Sequence, residues 1–379
     1  MARLGDVCDV RDGTHDSPTY VSEGYPLVTS KNIVDGKLDL SLVNYITFED
    51  YCKINERSKV DVGDIIMPMI GTIGNPYIVE DFTEFAIKNV ALIKFNNSQI
   101  QNKYIFYFLN SEKFKKYILK NNRGGTQKFL SLKDIRNMEI NVVPLQKQKE
   151  IVERLDKINF LISARKQQLQ KLDELVRARF VELFGDYDLS HAKNNWKSIS
   201  EIGKVVGGAT PKTNVEEYWD GEYRWITPAE LGADSGYIYD SLRKLTKAGV
   251  ESCSLQEMPI NTVILSSRAP IGKVAIAGNT FYCNQGFKNI ICNKDVLPIY
   301  IYTVLLLNTE YLNSLGRGAT FKEISKSIVE NIKISVPPIE LQNQFVTFVE
   351  KIDKSKFEVQ QSLEKLETLK KALMQNYFG

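Results

Sequence analysis

Histidine is almost absent from this 379-residue chain, which has only His15 and His191, and the five cysteines (Cys8, Cys52, Cys253, Cys283, Cys292) are scattered. No Cys-x-x-Cys pair and no Cys/His cluster has zinc-ligand spacing, which argues against a structural zinc or a disulfide frame. Neither sign of charge dominates. Forty-nine Lys and Arg against 46 Asp and Glu leave a formal +3; that excludes a polycationic chromatin-type protein but permits a local basic patch. No apolar run approaches the roughly 20 residues that cross a bilayer, and the opening MARLGDVCDV lacks the regions of a secretion signal. A soluble, reduced, cytoplasmic protein without a membrane partner is expected. At 43% hydrophobic residues the chain can fill roughly two or three ordinary domains.

What the chain does have is a repeat. VPLQKQKEIVERLDKI (143–158) reappears as PPIELQNQFVTFVEKI (337–352). At a constant offset of 194, Pro144 falls on Pro338, Gln148 on Gln342 and Phe184 on Phe378, with 13 identities in 42 ungapped pairs. Upstream, Arg123-Gly-Gly-Thr126 precedes Arg317-Gly-Ala-Thr320 by the same offset, whereas Thr72-Ile-Gly74 precedes Pro270-Ile-Gly272 by 198. The expected layout is globular (1–143), helical (144–186), globular (187–337) and helical (338–379). A duplicated scaffold with diverged globular parts implies two related but different binding events.

The helical segments carry apolar residues at alternating steps of four and three. In the first these are Ile151, Leu155, Ile158, Ile162, Leu169, Leu172 and Val176, with Arg165, Arg179 and Leu183 in the same register. In the second they are Phe345, Val349, Ile352, Val359, Leu363, Leu366 and Leu373, with Lys356, Lys370 and Tyr377. A seam this long predicts two helices packed on each other as a coiled coil. Each would be roughly 52 Å long at about 1.5 Å per residue, so the connecting chain favours an antiparallel pair related by a pseudo-two-fold axis. Proline at each start and Gly185 after the first helix fit as helix limits.

Both globular parts show short β-rich runs punctuated by Gly, Asp and Asn, then a helix-like run. The fold class expected is α+β, with two globular α/β domains built on twisted β-sheet cores. Charge is uneven within the first part. Residues 103–136 hold nine basic and two acidic side chains, whereas the equivalent 297–330 holds three of each. Lys115, Lys116 and Lys120 lie in that basic stretch, beside the loop RGGTQK, a pattern suited to phosphates.

The order GGATPKTNVEEYWDGEYRWITPAEL, APIGKVAIAG, CNQGFKNI, LGRGATFKEISKSIVENIKISVPPIELQNQFV resembles a target-recognition domain of the specificity subunit of type I restriction-modification systems. DGTHDSPTYVSEGYPLVTSKNI, IGTIG and GGTQKFLSLKDIRNMEINVVPLQKQKEIV resemble a second such domain, so the resemblance covers nearly all the chain. It implies a subunit without chemistry of its own, each globular domain reading one half of a bipartite asymmetric sequence in double-stranded DNA. It also implies that the helices set the spacer and dock two methyltransferase subunits, with nuclease/translocase subunits completing the enzyme. This chain would bind no cofactor; S-adenosylmethionine, ATP and Mg would serve the partners.

Polar residues in the turns are the candidate DNA readers. In the first domain they are Thr14, His15, Ser30, Lys31, Asn32, Thr72, Asn75, Arg123, Thr126, Gln127 and Lys128. In the second they are Thr210, Lys212, Thr213, Thr227, Glu230, Arg268, Lys273, Gln285, Lys288, Arg317, Thr320 and Lys322. Arg pairs with guanine, Asn and Gln with adenine, Glu with the cytosine amino group. For each, a turn-forming role competes with base contact, and Trp219 and Trp225 read as core aromatics rather than stacking platforms.

Two other functions are weighed against this one. A stand-alone DNA-binding regulator would use the same domains without enzymatic partners. A self-sufficient adenine methyltransferase needs a glycine-rich nucleotide turn and an Asn/Asp-Pro-Pro-aromatic loop. Asn75-Pro76-Tyr77 lacks the second proline and reads as a strand-end turn, and Gly208–Thr213 lacks the glycine spacing of a phosphate loop. No catalytic residue and no metal ligand is expected.

Overall fold

In a computed structural model, the residues described are 1–34, 36–81, 84–95, 99–121, 129–185, 187–232, 236–318 and 322–379. The chain forms two compact units, Met1–Gln168 with Val359–Gly379, and Leu169–Glu358. These divide both long helices, so the units do not follow the four-part layout of the sequence. Each unit combines one globular part with segments of two helices, α1 (Leu145–Phe184) and α2 (Ile339–Phe378).

In the first unit the main sheet runs Asp9–Asp12, Val90–Lys94, Ile65–Pro68, Tyr77–Ile78, antiparallel throughout. Ile65–Pro68 and Val90–Lys94 are buried at every position, as strands covered on both faces must be. The two-residue period then sorts their side chains. Ile65, Met67, Ala91 and Ile93 join the core beneath helix Asn102–Leu109, while Ile66, Val90 and Leu92 meet Val28, Ile33 and Val79. A smaller sheet pairs Ala86–Ile87 in parallel with Tyr25–Val28, then adds Asn44–Ile46 and Tyr20–Val21.

The second unit repeats the plan. Its main sheet runs Gly203–Gly207, Lys288–Cys292, Val263–Leu265, Val274–Ala277, Tyr237–Ile238. Val263, Leu265, Val274 and Ile276 face one core, and Ile264, Ala275 and Ala277 the other. Trp219–Ile226 forms the smaller sheet with Arg243–Leu245 and, in parallel, Tyr282–Cys283. Trp219 and Trp225 are core aromatics, meeting edge-on at 5.1 Å with the Arg243 guanidinium 3.5 Å over Trp219.

Every seam position named above is buried or half-buried. In the first unit, Arg154 Nη1 donates to the Tyr377 hydroxyl (3.4 Å) and Lys166 pairs with Glu367 (3.5 Å). In the second, Lys356 pairs with Asp173 (2.5 Å) and the Phe180 and Phe345 rings lie 5.2 Å apart. Partner numbers fall along α2 as they rise along α1, so the helix segments run antiparallel in each unit. Polar seam residues are accommodated by local partners: Lys356 by Asp173, and Arg179 by Glu182 and the Phe348 ring. Burial, with Lys166 nearby, lowers the Lys370 pKa.

The repeat extends to a buried hydrogen-bond clamp. Gln148 accepts from the Gln101 amide (2.9 Å) and donates to the Gln99 and Val143 carbonyls. Gln342 accepts from the Leu297 amide (2.8 Å) and donates to the Asp295 and Pro337 carbonyls. Both glutamines are fully buried, so each ties the start of a long helix to the turn before the preceding domain's helix. Gln342→Leu strips partners from three backbone groups, an expected loss of about 1–3 kcal/mol in urea unfolding. A loss below about 0.5 kcal/mol would show that water replaces the amide.

Candidate nucleic-acid interface

Glycine permits one close strand-end approach in both units. A Cβ on Gly13 would lie 2.2 Å from the Ile87 carbonyl oxygen, and one on Gly208 2.0 Å from that of Cys283. The following residues donate across the same gap, Thr14 to Ile87 and Ala209 to Cys283. In the first unit this brings His15 Nδ1 to Asn89 Oδ1 (2.8 Å) and Nε2 to Asp12 Oδ2 (2.9 Å), with Arg57 on the other Asp12 oxygen. In the second, Thr210 donates to Gln285 Oε1 (2.6 Å). The two turns hold the same place in the fold with different exposed polar pairs.

A second shared device lies after the central strand of each smaller sheet, where Thr29–Asn32 and Thr227–Glu230 form capping boxes. Asn32 Oδ1 accepts from the Thr29 amide and hydroxyl, and its Nδ2 donates to the Asp39 carbonyl. Glu230 accepts from the Thr227 amide and hydroxyl through one oxygen and from the Leu242 amide through the other. Asn32, buried, and Glu230, half-buried, thus hold their turns through these bonds. Thr227 is bonded within the same turn as Glu230. Lys273 is half-buried, and its Nζ donates to the Leu231 (2.5 Å) and Pro228 carbonyls. Ser30 and Lys31 remain on the turn's outer side, with Lys31 exposed.

The loops between the paired strands of each main sheet carry the next candidates. Thr72 is exposed and Asn75 half-buried in residues 69–76, where Asn75-Pro76 leads into strand Tyr77–Ile78 as a strand-end turn. In residues 266–273, Arg268 Nε donates to Glu323 Oε2 (3.0 Å). Glu323 Oε1 accepts from Lys288 Nζ (3.2 Å), which also donates to Ser267 Oγ and the Gln285 carbonyl. Lys288 is thus half-buried, with its Nζ bonded to three acceptors. Burial would raise the Glu323 pKa, but its bonds to Lys288 and Arg268 outweigh this and hold it low. Arg317 and Glu323 exchange backbone hydrogen bonds of 3.0 Å, which places Arg317 at the same edge, with Lys322 exposed beside it. Thr210, Gln285, Lys288, Arg268 and Arg317 thus belong to one connected surface, and Lys212 and Thr213 are exposed on the turn beyond Thr210.

Helix Glu112–Asn121 separates the three candidate lysines. Lys115, paired with Glu112 (2.8 Å), lines a groove of ≈ 720 Å³ together with Lys166, Glu367 and Lys370. Lys116 and Lys120 line a different depression, with Tyr117 and Asn137. Arg123, Thr126, Gln127, Lys128 and Thr320 lie outside the described residues. Asn89 and Glu323, not among the candidates, bond directly to the candidates His15 and Arg268. Of these two, only Glu323 carried a signal in the sequence, as the acidic residue that follows RGATFK. All five cysteines are free, and burial pushes the Cys8 and Cys283 thiols up to about 12, away from nucleophilic use. Among the described residues no His/Cys/Asp/Glu group could hold a metal ion.

The model of one protein family, the type I restriction modification DNA specificity domain, matches residues 1–174 and 193–370. The MjaIX specificity subunit of Methanocaldococcus jannaschii is 38% identical over 210 residues, 54% of this chain and 48% of that protein. The putative MjaX specificity subunit of the same organism is 26% identical over 401 residues, 99% of this chain and 91% of that one. The EcoR124I/EcoR124II specificity subunit of Escherichia coli is 29% identical over 218 residues, 54% and 52% of the two chains. The match thus spans about half the length of the MjaIX and EcoR124I subunits. One solved structure, from work on complex assembly and conformational transition of a type I restriction-modification system, has TM-score 0.64 at 17% identity, covering 100% and 96%. The S subunit from M. genitalium has TM-score 0.57 at 15% identity, covering 100% and 95%. These two share the fold.

Proposed function

The chain belongs to the type I restriction modification DNA specificity family, and from that premise we propose that it is the non-catalytic DNA-reading subunit of a restriction-modification complex. Each globular domain reads one half of a bipartite, asymmetric target in double-stranded DNA. The helices set the spacer between half-sites and dock two methyltransferase subunits, which nuclease/translocase subunits join. The methyltransferases bring S-adenosylmethionine and the nuclease/translocase brings ATP and Mg; this chain binds neither. Such a complex works in the cytoplasm, and among the described residues no helix is long and apolar enough to cross a membrane.

The observation that carries this reading is duplication with divergence. The same glycine-tight turn presents His15 with Asn89 in one unit and Thr210 with Gln285 in the other. A scaffold kept twice with different outward polar groups suits two different base sequences. The test mixes purified chain with its host's adenine methyltransferase and maps methylated adenines. Methylation at a bipartite sequence, only when both proteins are present, is expected. Methyl transfer by the chain alone would make it a self-sufficient enzyme. Specific DNA binding with no methyltransferase captured would make it a regulator.

The lysines give a second expectation. Replacing Lys115, Lys116 and Lys120 with Gln should weaken binding to all DNA alike and flatten its salt dependence. Because Lys115 is paired with Glu112, Lys116→Gln with Lys120→Gln should carry most of the effect, a slope smaller by about 0.9 per lost phosphate contact. An unchanged slope in the triple variant would assign this helix face to solvent or a protein partner.

A further inference from the structure

By the offsets of the repeat, Ile70 corresponds to Arg268 and Phe129 to Glu323. The structure makes both pairs the same object. Ile70 and Phe129 form an isolated antiparallel bridge in the first unit, and Arg268 and Glu323 form one in the second. One backbone frame therefore carries an apolar pair in one domain and an ion pair in the other.

The second-unit pair is held from several directions. The Glu323 backbone exchanges hydrogen bonds with Arg317, and the next amide, Ile324, donates to the Ser267 carbonyl (2.9 Å). Its carboxylate takes Lys288 on one oxygen and Arg268 Nε on the other. Lys288 has only three N–H donors, and all three have acceptors. Arg268 is different. It engages Glu323 through Nε, and among the described residues neither Nη has a partner, while its side chain is 46% exposed. A guanidinium gripped at Nε presents its two Nη groups outward as a fixed fork, the geometry that meets guanine O6 and N7 together.

We infer that Arg268, aimed by Glu323, selects guanine at one position of the half-site read by the second domain, an inference that rests on the DNA-reading function proposed above. Arg268 is the contacting residue and Glu323 the positioning residue. In the first domain the same frame presents Ile70 and an exposed Phe129, which can touch a thymine methyl but cannot hydrogen-bond a base edge. The two domains therefore differ in base preference at this frame position.

The test selects bound sequences from randomised duplexes with the full chain, and with Arg268→Lys and Glu323→Gln. Wild type should enrich a bipartite sequence with guanine at a fixed position of one half-site. Arg268→Lys keeps the charge but loses the fork, and Glu323→Gln keeps the shape but loosens the aim. Each should reduce that guanine enrichment at least about fivefold, leaving the other half-site as it was. The untouched half-site serves as the control for folding. Both variants enriching the wild-type sequence would overturn the assignment, as would loss of both half-sites together, which would make the pair a folding contact. A wild-type chain that enriches nothing would instead remove the DNA-reading function itself.

Discussion

Phe180→Ala should lower the stability of the second unit by about 3–5 kcal/mol, the usual cost of emptying an aromatic site that cannot collapse. Phe180 is fully buried, and four rings surround it: Phe184 (4.8 Å), Phe345 (5.2 Å), Tyr300 (5.6 Å) and Tyr187 (5.8 Å). These come from the end of α1, the start of α2, the domain's own helix and the chain after α1. No single neighbour can move in without pulling another element along. A loss of that size is a large part of the roughly 5–15 kcal/mol that holds a domain folded. Met374, the residue at the repeat-equivalent position in the first unit, is only half-buried, so Met374→Ala should cost less. Urea unfolding followed by aromatic circular dichroism measures both. Equal losses would mean that the aromatic cluster adds nothing beyond the helix seam.

The contrast shows which parts of the fold the sequence makes legible. Long periodic signals survive: the seam predicts helix contacts that form within each unit, and the ungapped offset matches Gln148 with Gln342, whose equivalent clamps only the structure reveals. Trp219 and Trp225 read as core aromatics rather than stacking platforms, and both are buried. Asn32, Glu230, Lys273 and Lys288 show what the sequence leaves open. Asn32 and Glu230 lie in short turns and Lys288 opens a strand, yet all four, Lys273 included, spend hydrogen bonds on backbone or carboxylate within the protein. A polar side chain in a turn has the same one-dimensional appearance whichever way it points. The compact units escaped the sequence for another reason. They close through contacts such as Tyr104 with Phe378, between residues too far apart in the chain for any local pattern to report.

Lengthening both long helices by one heptad should change the spacing of the DNA target and not its bases. Seven residues added after Leu169 and after Leu363 fall near the places where the two compact units divide α1 and α2. A whole heptad keeps the four-three seam in register, and each helix gains about 10 Å, near three base pairs. A straight helix drifts about 20° per heptad against the seam, while three base pairs turn DNA by roughly 100° at about 10.5 per turn. The rotations do not match, so methylation should slow even where it persists. Insertion in one helix alone offsets the antiparallel seam and should cost stability instead, which separates a ruler from a mere scaffold. Methylated adenines mapped with the double-insertion chain and its methyltransferase should flank the original half-sites across a spacer about three base pairs longer. New half-site bases across the old spacer would sink the ruler, because recognition would then reside in the helices and not in the two domains they carry.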